Sequence, residues 1–202
     1  MKIPSKHLEN AVEQISSLPG IGKRTALRLA LNLINRSEEE IRMFAESLLD
    51  LKLHVTKCQE CGNISDQEIC TICINPNRDH GTICVVEDIR DVMAIEGIES
   101  YKGTYHVLGG IISPMDGVGP GELNIQPLIE KADTGKINEI IFALSPTMEG
   151  DTTSFYLYKK LKEKPIEITT LSRGVSVGTE LQYADELTLS RSLVNRHKYQ
   201  SQ

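Results

Sequence analysis

The sequence predicts a multidomain α+β chain. It reads as an N-terminal helical domain at 1–56, a small four-cysteine zinc module at 57–80, an α/β domain with a parallel sheet at 81–172 and a C-terminal helical segment at 173–202. Three observations predict this. Apolar residues recur at helical spacing up to residue 56, four of the five cysteines fall between 57 and 80, and beyond 81 strand-like runs alternate with helical ones. With 202 residues, 40% hydrophobic and 25% charged, the chain has an ordinary soluble composition and can bury a core without disulfides.

The N-terminal helices come first. HLENAVEQISS carries Leu8, Val12 and Ile15 on one face. After a break at LPGIG, KRTALRLALNLIN resumes with Ala26, Leu27, Ala30, Leu31 and Ile34 on one face. Ser37 before Glu38–Glu40 signals the start of a third helix through Ile41, Phe44, Ala45, Leu48 and Leu49. The charge is uneven. The whole chain carries −6, yet residues 1–36 hold six cations against Glu9 and Glu13. A basic end on an acidic body points to an anionic partner at that end and different work elsewhere.

The break itself carries chemistry. Gly20 and Gly22 flank Ile21, which is expected to plug between the helices, and Lys23, Arg24 and Arg28 follow. A glycine turn leaves backbone N–H groups free at the start of the next helix, where they and the helix dipole favour phosphate. Gly-x-Gly alone fits an ordinary helical hairpin. With Leu18 before it and three cations after it, the pattern resembles a helix-hairpin-helix motif, which grips the DNA backbone without reading sequence.

The cysteines form two knuckles, Cys58-x2-Cys61 and Cys70-x2-Cys73, with Gly62 relieving the first turn. Four thiolates suit a tetrahedral structural Zn²⁺ and leave no open position for catalysis. Paired disulfides and an iron–sulfur cluster are the rivals; a cytosolic setting disfavours disulfides. His80 is a spare ligand that the site does not need, and Cys84 falls in a buried strand.

In the α/β part, strands are expected at 81–88, 104–110, 137–144 and 166–172. Helices are expected from Asp88 to Ile98, from Glu122 to Ala132, from Thr152 to Lys164 and, in the tail, from Tyr183 to Arg196. Glu87 closes the first strand, and Glu149 and Asp151 follow the third after a short loop. Loops after parallel strands gather at one edge of the sheet. The three acids there read either as an Mg²⁺ site or as solvated carboxylates. The glycine- and proline-rich stretch from Leu108 to Pro120 reads as an exposed functional loop, without the pattern of a phosphate-binding P-loop.

No apolar run approaches the roughly 18 residues of a membrane span. The start MKIPSKHLENAVEQ lacks a signal-peptide core, so a cytoplasmic location is expected.

The four pieces in this order resemble the bacterial recombination mediator family RecR. The resemblance covers nearly the whole chain, through LPGIGKRTALRLA, the cysteine pairs, ICVVED, LGGIISPMDGVGP, SPTMEGDTT and LSRGVSVGTELQYADELTLSRSL. It implies a helix-hairpin-helix domain, a zinc finger, a Toprim domain and a Walker-B-like C-terminal segment at Leu181, Tyr183, Ala184 and Asp185. It implies a role in DNA repair with RecO, and in many bacteria RecF, in loading RecA onto single strands, and a ring-shaped homotetramer. The hairpin match falls on Gly20, Gly22, Lys23, Arg24 and Arg28, the zinc match on Cys58, Cys61, Cys70 and Cys73, and the Toprim acid match on Glu87, Glu149 and Asp151. Toprim enzymes show Asp-x-Asp where this chain has Glu149, which weakens an inference of catalysis and leaves metal binding or RecO docking for the acidic edge.

Three functions compete. A non-enzymatic DNA clamp predicts salt-sensitive binding with little base stacking, since the chain has no Trp and nine other aromatics. A Mg²⁺-dependent Toprim nuclease or topoisomerase-like enzyme needs a nucleophile, and Tyr156 and Tyr158 read better as core or helix surface. The third is a protein that only binds other proteins.

Overall fold

The computed structural model describes residues 3–175, 178, 180–196 and 198. Ser176, Val177 and Thr179, within the tail segment that carries part of the resemblance, lie outside the described residues. The chain forms two compact units, 1–55 and 56–202.

The first unit contains α1 (Lys6–Ser16), α2 (Lys23–Ile34) and α3 (Glu38–His54). Ser5 caps α1 by accepting from the Leu8 N–H. Ser37 and Glu40 close a reciprocal capping box at α3, satisfying two otherwise unpaired N–H groups. The core is small: Val12 packs on Ala26 and Ala30, flanked by Leu8, Ile15, Ile21 and Leu27. Ile21 fills the gap between helices, as its position in the hairpin suggests. Leu31 and Ile34, expected on the packed face, are exposed. The contact runs along the small residues Ala26 and Ala30, one turn apart, which let α1 approach closely. Helix α3 buries no residue, and Phe44, Leu48 and Leu49 are exposed.

The second unit opens with the cysteine module, a hairpin of β1 (Thr56–Lys57) and β2 (Ile64–Ser65) followed by α4 (Thr71–Ile74). Then come β3 (Asp79–Val86), α5 (Ile89–Glu96), β4 (Gly103–Val107), α6 (Gln126–Asp133), β5 (Glu139–Ala143), α7 (Met148–Leu161), β6 (Glu167–Thr170) and α8 (Glu186–Val194). The sheet order is β4-β3-β5-β6, and every pairing is parallel. Its two faces are both buried, as parallel sheets require. On one face Ile83, Val85, Ile140 and Phe142 pack with Leu128, Leu157 and Leu161 of α6 and α7. On the other, Cys84, Val86, Tyr105 and Val107 pack with Val92 of α5. Cys84 is the core residue its strand position implied.

Most element boundaries shift by a few residues from the sequence reading; the first strand, expected at 81–88, runs from Asp79 to Val86, so Glu87 lies just beyond its end rather than closing it. The strand expected to reach residue 110 stops at Val107, because Gly109 (φ 83°) and Gly110 (φ 153°) leave the strand conformation. The helix expected from Glu122 begins at Gln126, where Pro127 lies in the first turn and needs no N–H partner. Helix α7 starts at Met148 rather than Thr152, capped by the Thr147 side chain, which accepts from the Gly150 N–H. Glu149 and Asp151 therefore lie on the first turn of a helix and not in a loop. The tail helix is shorter, starting after the Asp185 cap and ending at Val194; Leu181–Tyr183 form a separate 3-10 turn. The stretch from Leu108 to Pro120 is only partly a surface loop: Met115 is exposed, but Leu108, Ile112 and Ser113 are buried.

Candidate nucleic-acid interface and metal centre

The hairpin between α1 and α2 is built as its glycines suggest, but they have different jobs. Gly20 has φ 80°, a left-handed conformation that side chains resist. Gly22 has an ordinary φ of −78° and is the N-cap of α2, with no side chain capping the helix. A side chain there would meet nothing within 4 Å. No contact or backbone angle requires glycine there. Lys23, Arg24 and Arg28 are exposed at this end, and none of them forms an ion pair with a described residue. Free cations beside free helix N–H groups make a ready anion site.

The two cysteine knuckles converge. One sulfur from each of Cys58, Cys61, Cys70 and Cys73 lies within 4.8 Å of the others, and three of the residues are buried. Among the described residues this is the single such grouping of His, Cys, Asp and Glu. The Cys70 N–H donates to the Cys58 sulfur at 3.2 Å, the kind of bond that stabilises a thiolate. Crowding makes the thiols unequal: sharing a proton with Cys73 lowers Cys61 and raises Cys73. Four soft, convergent sulfurs fit Zn²⁺, which binds thiolates in place of their protons. The cofactor is thus a structural Zn²⁺ on these four residues. His80 stands apart, its Nε2 3.1 Å from the Asn75 carbonyl.

The module is tied to the sheet. The Val107 N–H at the end of β4 donates to the Cys61 carbonyl at 2.7 Å. Gly62 (φ 75°) allows this contact, since a Cβ would come within 3.0 Å of the Val107 carbonyl. The Asn124 side chain donates to that same carbonyl, and the Asn124 carbonyl faces Nε2 of buried His106 at 2.5 Å. Sequence reasoning missed both His106 and Asn124; nothing local marks either.

Two of the three candidate acids are engaged through their carboxylates, and Glu149 is exposed on the first turn of α7. Glu87 accepts from the Ser145 hydroxyl at 2.7 Å. Asp151 pairs with Arg173 at 2.7 Å and with Arg191 at 3.3 Å. Glu149 contributes its carbonyl to the buried Thr153 hydroxyl, which also accepts from the Ile112 N–H. The glycine between the two acids has a packing reason, because a Cβ on Gly150 would collide with the Ser145 carbonyl. Tyr158 is exposed, and Tyr156 packs against the core. The two arginines were not singled out in the sequence; their only sign was their place in the quoted tail segment.

Fold and site together define a zinc-bearing protein that couples a helix-hairpin-helix unit to a Toprim-type sheet. Family comparison makes this specific. Residues 8–52 match the RecR helix-hairpin-helix family, 55–75 the four-cysteine zinc finger domain of RecR, 81–172 the Toprim domain and 174–197 the RecR C-terminal family. The chain is 58% identical over 196 residues to a protein of Flavobacterium johnsoniae named Recombination protein RecR, covering 97% of this chain and 95% of that one. It is 53% identical over 195 residues to the same-named protein of Porphyromonas gingivalis, covering 96% and 94%. A third, from Flavobacterium psychrophilum, is 54% identical over 201 residues, covering 100% and 98%. The chain belongs to the RecR family. No described helix is long and apolar enough to cross a membrane.

Proposed function

We propose that this protein is a DNA repair and recombination mediator that binds the DNA backbone without catalysing a reaction on it. One observation carries the reading: Lys23 and Arg24 in the first turn of α2, behind the Gly20–Gly22 turn, and Arg28 in the next stand exposed with no ion pair among the described residues, and no side chain caps the helix. The Zn²⁺ on Cys58, Cys61, Cys70 and Cys73 holds a module too small for a core of its own. Glu87, Glu149 and Asp151 are read as a docking edge for a basic partner, RecO, with RecF a further partner. In this reading the protein helps load RecA onto gapped or single-stranded DNA in the bacterial cytoplasm, as a ring of four copies. The exposed apolar side chains of α3 and α8 favour such self-association. The working division is 1–56, 57–80, 81–172 and 173–202. The pairing of Asp151 with two guanidinium groups favours docking or a structural role over Mg²⁺-dependent cleavage.

The test uses zinc-loaded protein, Mg²⁺ and an end-labelled gapped duplex on paired native and denaturing gels. A native shift with intact strands is expected. Changing Lys23 and Arg24 together to Ala should weaken binding to all sequences alike. Unchanged affinity in that variant, or strands cut in a Glu87- or Asp151-dependent way, would overturn the reading.

A further inference from the structure

Two cations from distant parts of the second unit converge on one carboxylate. Arg173 follows β6, Arg191 lies on α8, and each takes a different oxygen of Asp151 on α7. None of the three is deeply buried: the arginine side chains are 29% and 34% exposed and Asp151 is 42% exposed. They line a cavity of about 780 Å³ that also carries the hydroxyl-bearing side chains of Ser154, Thr170 and Ser172. Phe155 lines it as well, and the Lys159 ammonium stands 4.5 Å from the centre of that ring. Neither arginine has another acidic partner among the described residues. Two guanidinium groups facing one carboxylate make a spot of net positive charge on an otherwise acidic body.

We propose that Arg173 and Arg191 form a second phosphate-binding seat, which the chain by itself fills with its own Asp151. A phosphodiester presents the same paired oxygens as a carboxylate, and guanidinium forks donate to either. Asp151 is partly exposed, and its bond to Arg191 is long at 3.3 Å, so an incoming phosphate can compete for the arginines. Exchange frees Asp151 at the moment DNA arrives. DNA engagement and exposure of the acidic docking edge are thereby coupled. The inference rests on the DNA-binding reading above and extends it to a site remote in sequence from the hairpin.

The experiment measures fluorescence anisotropy of a labelled duplex against a KCl series with full-length, zinc-loaded protein. Asp151→Asn removes the competing charge with little change of shape, and should bind several-fold tighter. Arg173→Ala with Arg191→Ala should bind more weakly, and the log–log salt slope should shrink by about 1. Should that double variant fail to fold, Asp151→Asn decides alone. Lys23→Ala with Arg24→Ala serves as the hairpin control. Loss of binding in that control, with Asp151→Asn and the arginine variant both matching wild type, would overturn the seat and leave the hairpin reading intact. A wild-type protein that ignores the duplex overturns both.

Discussion

The helical unit at 1–55 and the α/β unit at 56–202 solve the problem of burial differently. The α/β unit has cores on both faces of its sheet, with Leu128, Leu157, Leu161 and Val85 wholly inaccessible. Among its described residues the helical unit buries only Val12, Ala26 and Ala30, and α3 presents Phe44, Leu48, Leu49, Leu51 and Leu53 to solvent. Stability in the first case comes from the chain's own packing. The second has apolar surface left over, the usual mark of a face that works against something else.

Zinc removal should give the largest departure from this picture. Structural zinc contributes on the order of 10 kcal/mol in small zinc-finger peptides. Stripping the metal with a chelator should abolish hydrogen-exchange protection across the cysteine module and loosen the end of β4 at Val107. Protection of α1 and α2 should survive. If the helical unit melted with the module, the independence of the two units would be lost.

A pair of leucines gives a middle-sized effect. Leu157→Ala in the α/β core should cost about 2–5 kcal/mol. Leu48→Ala, at a side chain 52% exposed, should change the stability of the single chain by no more than about 0.5 kcal/mol. Denaturant melts at several protein concentrations measure both. An equal cost at Leu48 that grows with concentration would mean the α3 face is covered by another copy.

The last effect vanishes near neutral pH and grows only on acidification. Burial pushes His106 down to about 4, and its Nδ1 has no hydrogen-bond partner among the described residues. The unfolded ring titrates near 6.5, so between about 4 and 6.5 the unfolded chain binds the extra proton. The stability from the neutral ring is fully present above about 6.5 and falls with acidification by up to about 1.4 kcal/mol per pH unit. Melts of wild type and His106→Gln across that window should differ in slope, with the variant flatter. Equal slopes would assign the acid sensitivity elsewhere.

What could be read in the sequence tracks the distance over which a site is specified. The zinc ligands lie within sixteen consecutive positions, from Cys58 to Cys73, so their spacing alone implied convergence. The hairpin is equally local, with Gly20 in the left-handed turn and Gly22 as the N-cap of α2. The sheet was readable from alternation, because both faces of a parallel sheet demand apolar strands. The acidic edge was not. Glu87 and Asp151 are positioned by topology, and what engages them depends on Ser145, Arg173 and Arg191, whose approach no local pattern encodes. The start of α7 was missed for a related reason: Gly150 is required by the close approach of the Ser145 carbonyl, a contact across the turn that spacing does not show.

The bond from the Val107 N–H to the Cys61 carbonyl also makes the sheet asymmetric. At the β4 border the Val107 N–H and carbonyl are both taken, and the Gly103 carbonyl accepts from Arg78. At the β6 border no backbone partner lies beyond Glu167–Thr170 among the described residues. The β6 border is thus the more open one for an added strand, because the metal module occupies the Val107 end of the β4 border.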